Sequence, residues 1–229
     1  MKLAKITSLI LFLFLIGFTA QAQSETRTLD SFISIQSGGS WDVYVKLGNK
    51  DEVRLESDGF DLDKVITEVK DNKLKIKLEN GRHKNVKFTA YVTVKNLESI
   101  GVSGSGNMII ESDIDSRKFS IGQSGSGDVQ MQMLETEALS VGMSGSGKVT
   151  IEGGNADKVN IGQSGSGDFN GLELEAGDVK VGKSGSGSTY IGVNGDLTVA
   201  SSGSGNVYYK GNPSNQKIAS SGSSKVVKK

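Results

Sequence analysis

The tetrapeptide Ser-Gly-Ser-Gly occurs six times, starting at Ser103, Ser124, Ser144, Ser164, Ser184 and Ser202, and a frayed seventh copy, Ser-Gly-Ser-Ser, starts at Ser221. The steps between them are 21, 20, 20, 20, 18 and 19 residues. Each copy sits in the same frame, apolar-x-apolar-small-x before the tetrapeptide and x-apolar-x-apolar after it. Thus Phe119 and Ile121 precede one copy and Val129 and Met131 follow it; Leu139, Val141, Val149 and Ile151 do the same for the next. Two-residue alternation on each side describes two short strands with one buried face. One such rung cannot bury its apolar face alone, but a stack of them makes a continuous core. The pattern predicts an all-β fold, a parallel β-helix or solenoid with rungs of about 20 residues. Right-handed coiling is the favoured sense for parallel crossovers.

The tetrapeptide reads as a bend. A straight strand through it would put Gln123 on the same face as Ile121 and Val129, and three rungs later it would put Lys183 there. Burying an unpaired lysine is costly, so a bend is expected to keep both out of the core. Glycine would supply unusual dihedrals and let neighbouring backbones approach. The serines would form two ladders stepped by about 4.8 Å, bonded along the ladder or to nearby backbone.

At the other end, Lys2 and Lys5 precede an apolar run from Leu9 to Phe18, followed by Ala20-Gln21-Ala22. This reads as a secretory signal peptide spanning residues 1–22, its apolar run being short for a bilayer span. The expected mature chain, residues 23–229, has no Cys and one Pro, which excludes a disulfide-stapled domain. With 26 basic and 26 acidic residues in the whole chain, nothing favours nucleic acid or an anionic membrane as partner. No later segment is apolar enough for a transmembrane helix. A single domain is expected, with residues 30–97 as degenerate rungs and 98–229 as regular ones. Within the first part, Ile33 and Ile35 lead into Ser37-Gly-Gly-Ser40, with Trp41 in place of a glycine. Asp71-Asn72 reads as the turn of an antiparallel hairpin, Phe60 to Lys64 as a helical turn, and Phe88 to Val94 as the strand leading into the repeats.

These features resemble a known family. The leader, the lead-in Phe32-Ile-Ser-Ile-Gln-Ser-Gly-Gly-Ser-Trp-Asp-Val-Tyr-Val, the segment Leu62-Asp-Lys-Val-Ile and the serial Ser-Gly-Ser-Gly rungs are similar to the putative autotransporter adhesin head, or GIN, domain common in Bacteroidetes. The resemblance spans residues 30–210 or so. It implies a β-helix-like fold, an envelope or extracellular setting, and adhesion. It brings no catalytic motif to carry over. No heptads or girdled barrel strands accompany the repeats.

The residues themselves give few catalytic candidates. Asp128 and Asp168 hold the same rung position two copies apart, about 9.6 Å by stacking geometry. That is the outer limit of the separation used by inverting glycosidases, so a carbohydrate-active enzyme is the alternative reading. Lys148 stands between them, which favours a surface charge ladder. His83, the only histidine, lies in a basic loop. One His and no Cys make a transition-metal site a poor fit, and no cofactor is implied. Tyr208 and Tyr209 are adjacent in a strand and so face opposite ways. Asp128, Asp168, Tyr208 and Tyr209 are therefore the candidate ligand contacts. The expected function is that of an exported, non-enzymatic surface binder of glycan or envelope protein. The strand edges at the solenoid ends leave room for a homo-oligomer or an ordered partner, so a structural periplasmic assembly element is the other alternative reading.

Overall fold

The computed structural model describes residues 23–229; the expected signal peptide lies outside the described residues. Among these the chain is β structure with one 3-10 turn, Leu62–Lys64. The strands before the tetrapeptides stack in parallel, from Ser99–Val102 through Ile114–Gln123 and Glu175–Lys183 to Asp196–Ser201 and Asn215–Ser220. The strands after them form a second parallel face, from Met108–Ile110 through Phe169–Gly171 and Thr189–Gly192 to Val207–Lys210 and Val226–Lys228. Register keeps like residues in columns. Ile100, Ile121, Val141, Ile161, Val181 and Val199 form one, each fully buried. Each such side chain contributes about 1.5–3 kcal/mol of transfer free energy. The predicted solenoid is the observed one.

The bend exists, but it does not exclude Gln123 or Lys183. Gln123, Gln163 and Lys183 are 2%, 3% and 5% exposed. They fill the inside of the corner, and the reason is hydrogen bonding. The bend turns the carbonyls of Gly127, Gly167 and Gly187 inward, where the neighbouring rung offers them no backbone N–H. Gln123 Nε2 donates to the carbonyls of Gly125 and Gly127, at 2.7 and 3.2 Å. Gln163 Nε2 donates to Gly167 at 2.5 Å, and Lys183 Nζ donates to Gly187 at 2.5 Å. Gln163 Oε1 in turn accepts from Thr189 Oγ1 at 2.6 Å. Gln123 Oε1 is buried with no donor. Desolvation pushes the Lys183 ammonium below the ordinary lysine value of 10.5, partly countered by Asp168.

Backbone carries most of the bend. Ser146 N donates to Gly125 O at 2.9 Å, and the same step recurs up the column. Of the first serines, Ser103 and Ser164 reach a carbonyl of the rung below, both at 3.4 Å. The glycines are required for closeness more than for dihedral freedom. Gly145 has no positive φ, yet a Cβ there would lie 1.9 Å from Gly125 O.

The amino-terminal part has the expected strands in an unexpected order. Ser34–Ser37 pairs with Ser99–Val102 on one side and with Lys73–Leu78 on the other. Val43–Leu47 likewise lies between Met108–Ile110 and Phe88–Val94. The rung formed first in sequence is therefore sandwiched between two later ones. Phe88–Val94 does not lead directly into the repeats, because residues 95–98 pass across that rung. Asp51, 5% exposed, fastens the crossing. It accepts from Ser31 Oγ at 3.0 Å, from Lys95 N at 3.2 Å, and pairs with Lys95 Nζ at 3.3 Å.

The expected hairpin is Val65–Lys70 with Lys73–Leu78, turned by Asp71 and Asn72 at φ 52° and 57°. Positive φ at both central residues is the twist-matched two-residue turn. This hairpin and Gln23–Thr28, antiparallel to Glu52–Ser57, close the amino-terminal end. Arg27 spans the two, donating to Leu62 O at 2.9 Å and Val65 O at 2.5 Å. Trp41 stacks on Phe88, and Phe88 on Phe60, with centroids 4.7 and 6.0 Å apart, sealing that end of the bend column.

Candidate functional site

On the outside of the first face, each strand presents three residues to solvent around two buried ones. In the Ile114–Gln123 strand and the bend after it these are Ser120, Gly122 and Ser124. The middle position has no side chain in five consecutive rungs: Gly101, Gly122, Gly142, Gly162 and Gly182, aligned by register. Stacked, they form the floor of an open groove of about 750 Å³. From Gly101 to Gly182 it runs about 19 Å, four steps of about 4.8 Å. One wall is Ser99, Ser120, Ser140, Asn160 and Lys180, with Lys73 at the far end. The other wall carries Ser144, Ser164 and Ser184.

Packing within the chain does not require these glycines. A Cβ on Gly142 would meet nothing within 4 Å, and one on Gly101, Gly122, Gly162 or Gly182 would meet its nearest atom at 3.7–3.9 Å. Glycine inside a strand weakens it and often marks a place where something approaches closely. The residues before them have drifted, from Ser to Asn to Lys, while the glycine recurs. The sequence displayed this signal as the small residue in every repeat, but gave no local reason to assign it a role.

Asp128 and Asp168 have a different job. Asp128 Oδ1 accepts from Lys148 N at 2.7 Å, and Asp168 Oδ1 from Ser188 N at 2.6 Å. Asp42, Asn107 and Asn206 do the same for Asn107 N, Asp128 N and Lys225 N. This is a ladder in which one side chain caps the next rung's amide. It explains why the position takes Asp or Asn so often.

Tyr208 and Tyr209 diverge as expected. Tyr209 is 7% exposed and lies in the core, so its ring is not at the surface. Tyr208 faces out and stacks on Tyr190 with centroids 4.8 Å apart, and Lys229 Nζ lies 5.3 Å from its ring centre. A matching pair, Tyr44 on Tyr91, stands at the other end of that face beneath Arg54. His83 Nε2 lies 3.0 Å from Glu79 O, edge-on to Phe60. Among the described residues no group of three or more His, Cys, Asp or Glu is placed to hold a metal ion. No described helix is long and apolar enough to cross a membrane.

A parallel β-solenoid of about 20-residue rungs, carrying a hydroxyl-walled groove along its outer face, defines a class of extended, surface-presenting repeat proteins. Within that class, the chain belongs to the family described as putative auto-transporter adhesin, head GIN domain, whose profile matches residues 31–213. No curated protein matches the chain. Among solved structures it is similar to a putative adhesin from Bacteroides fragilis NCTC 9343, at 22% identity over 91% of this chain and 97% of that one, with a TM-score of 0.87. A putative adhesin from Parabacteroides merdae ATCC 43184 is 20% identical over 92% of this chain and 97% of that one, with a TM-score of 0.72. A putative lipid binding protein from Parabacteroides distasonis ATCC 8503 is 20% identical over 91% and 97%, with a TM-score of 0.67. At these identities the likeness is one of fold.

Proposed function

We propose that the protein is an exported, non-enzymatic adhesin-like component of the cell envelope that holds an extended glycan in the glycine-floored groove. The observation that carries this reading is the run of five glycines whose absent side chains nothing inside the fold demands. The groove's chemistry suits a polyhydroxylated chain. Serine hydroxyls and the Asn160 amide line its walls, peptide groups line its floor, and Lys73 and Lys180 stand at its ends. An acyl chain, suggested by the name of the lipid-binding relative, would leave those hydroxyls unpaired. The non-enzymatic part is supported by the state of Asp128 and Asp168, each of which already accepts a backbone N–H through one oxygen.

The test is retention of residues 23–229 on an array of envelope polysaccharides, compared with Gly142→Val. A valine there puts bulk into the groove, and its Cβ meets nothing within 4 Å. The expected result is glycan retention by the natural protein, loss of retention in the variant, and no release of sugar ends. Retention on no glycan, or equal retention by the variant, rejects the groove as the site.

A further inference from the structure

Asparagine followed by glycine occurs three times, at Asn80-Gly81, Asn170-Gly171 and Asn194-Gly195. The pair is chemically labile, because a glycine nitrogen with no side chain beside it can approach the preceding side-chain amide. Whether it reacts depends on how the backbone is held. Gly171 is buried in the strand Phe169–Gly171, in register with Ile191. Asn194 N and Gly195 N donate to Ala176 O and Gly177 O, at 2.8 and 3.0 Å. Both pairs are therefore fixed to a neighbouring rung. Asn80-Gly81 is not. Both its residues are exposed, in the irregular segment 79–87 between Lys73–Leu78 and Phe88–Val94. No backbone N–H of residues 80–87 donates to a backbone carbonyl among the described residues. Side chains hold the segment instead. His83 Nε2 lies 3.0 Å from Glu79 O, Lys87 Nζ pairs with Asp58 at 2.6 Å, and Ser57 Oγ donates to Lys87 O at 3.2 Å. Segments of this kind open at far lower cost than laddered strands.

We propose that Asn80-Gly81 is a self-modification site, where the chain converts its own asparagine to aspartate and isoaspartate with water as the co-reactant. The Gly81 nitrogen loses its proton to solvent and attacks Asn80 Cγ. A new Cγ–N bond closes a cyclic imide, the Cγ–Nδ2 bond breaks, and Nδ2 takes a proton from solvent and leaves as ammonia. Water then opens the imide, its hydroxyl going to a carbonyl carbon and its hydrogen to the nitrogen. Opening at the side-chain carbonyl gives aspartate. Opening at the main-chain carbonyl gives isoaspartate, in which the main chain runs through the side chain. Either product adds a negative charge beside Arg82 and Lys84. The product is tolerated for the reason that the reaction is permitted. Isoaspartate lengthens the main chain, and at position 170 or 194 it would upset the register that keeps like residues in columns. Segment 79–87 has no ladder to upset. The loop thus carries a charge that changes with the age of the molecule, while the core and the glycine groove stay as they are. The inference stands apart from the glycan reading, which uses neither residue.

The experiment is a peptide mass map of residues 23–229 after incubation above neutral pH, with isoaspartate read by transfer of a labelled methyl group from an isoaspartyl methyltransferase. The peptide holding Asn80 is expected to show the amide-to-acid mass change and to take the label. The peptides holding Asn170 and Asn194 should convert at least about tenfold more slowly in the folded protein, and at a similar rate to Asn80 in urea. Asn80→Gln closes its larger ring far less readily, so it should abolish the label at this site with the melting temperature unchanged. Protein aged until Asn80 is converted should also melt where the fresh protein does. An Asn80 that stays intact in the folded protein, or conversion of all three asparagines at one rate, overturns the proposal. So does label that persists in Asn80→Gln. A melting temperature lowered by conversion overturns the placement of this pair outside the ladder.

Discussion

The carbonyl oxygen of Gly125 stands 1.9 Å from the place a Cβ on Gly145 would occupy, one rung above. Three residues earlier, a Cβ on Gly142 would meet nothing. Two glycines in one repeat thus answer to different demands, one imposed by the adjacent backbone and one by nothing within the molecule. Gly145→Val should cost about 2–4 kcal/mol, because backbone must move in a stack of such bends. Gly142→Val should leave stability unchanged or raise it by up to about 1 kcal/mol, through higher strand propensity. Urea unfolding midpoints of the two variants check this pair.

Lys183 occupies an inward position held by Gln163 and Met143 in the rungs below it. Its ammonium is desolvated, and its pKa lies below the ordinary 10.5. Below the folded-state value the lysine is charged in both states and the cost of burying that charge is fully present. Between that value and 10.5 the unfolded chain binds more protons, so stability rises with pH across this window. Lys183→Met should stabilise the protein at neutral pH by about 1 kcal/mol or more and remove the alkaline rise. Unfolding midpoints measured from pH 7 upward test both; a Met variant that is less stable at neutral pH counts against a net cost of the buried ammonium.

Gln163 Oε1 has its donor in Thr189, while Gln123 Oε1 has none, since Val149 stands at the equivalent place. Burying a new hydroxyl without a partner costs about 1–3 kcal/mol. At Val149 the hydroxyl would find that waiting acceptor. Val149→Thr should therefore be close to neutral, whereas Val129→Thr, which faces Val102 rather than a glutamine, should show the full cost. Equal losses in both would mean the amide is not oriented as described.

Burial raises the Asp51 carboxyl pKa, but the Lys95 N–H, the Ser31 hydroxyl and the Lys95 ammonium outweigh it and hold the group below the usual carboxylate value. A lowered folded pKa gives stability that is present above the unfolded value, about 3.9, and is lost as pH falls through the folded one. Asp51→Asn should cost about 1–3 kcal/mol at neutral pH and flatten the acid limb of the stability profile. Thermal midpoints between pH 2 and pH 7 would show whether that limb belongs to this residue.

Much of the stack was legible because one local rule repeats: alternation on both sides of a tetrapeptide at constant spacing. The same rule misled at the corner. Alternation put Gln123 and Lys183 inside, and the cost of burying them argued for turning them out. The inward carbonyls of Gly127 and Gly187, which need donors, are not visible in a sequence. The hairpin at Asp71-Asn72 was legible from turn chemistry alone. The place of residues 34–47 was not, because neighbours in sequence are usually neighbours in space, and here they are not. The aspartates advertised charge, and only the register revealed that their oxygens serve the next rung's amides. The tyrosines gave their opposite facing from parity, but not which of them turned inward.

The sandwiched rung has a consequence for assembly. Residues 34–47 gain their partners on one side from residues 73–94 and on the other from residues 99–110. A chain that becomes available from its amino terminus cannot add its rungs in the order in which they appear. Its earliest rung stays open on one edge until residues 73–94 are in reach, and on the other until residue 110 is. The regular repeats, by contrast, each need only their neighbours in sequence. The amino-terminal rung is thus a clasp that only later residues can fasten.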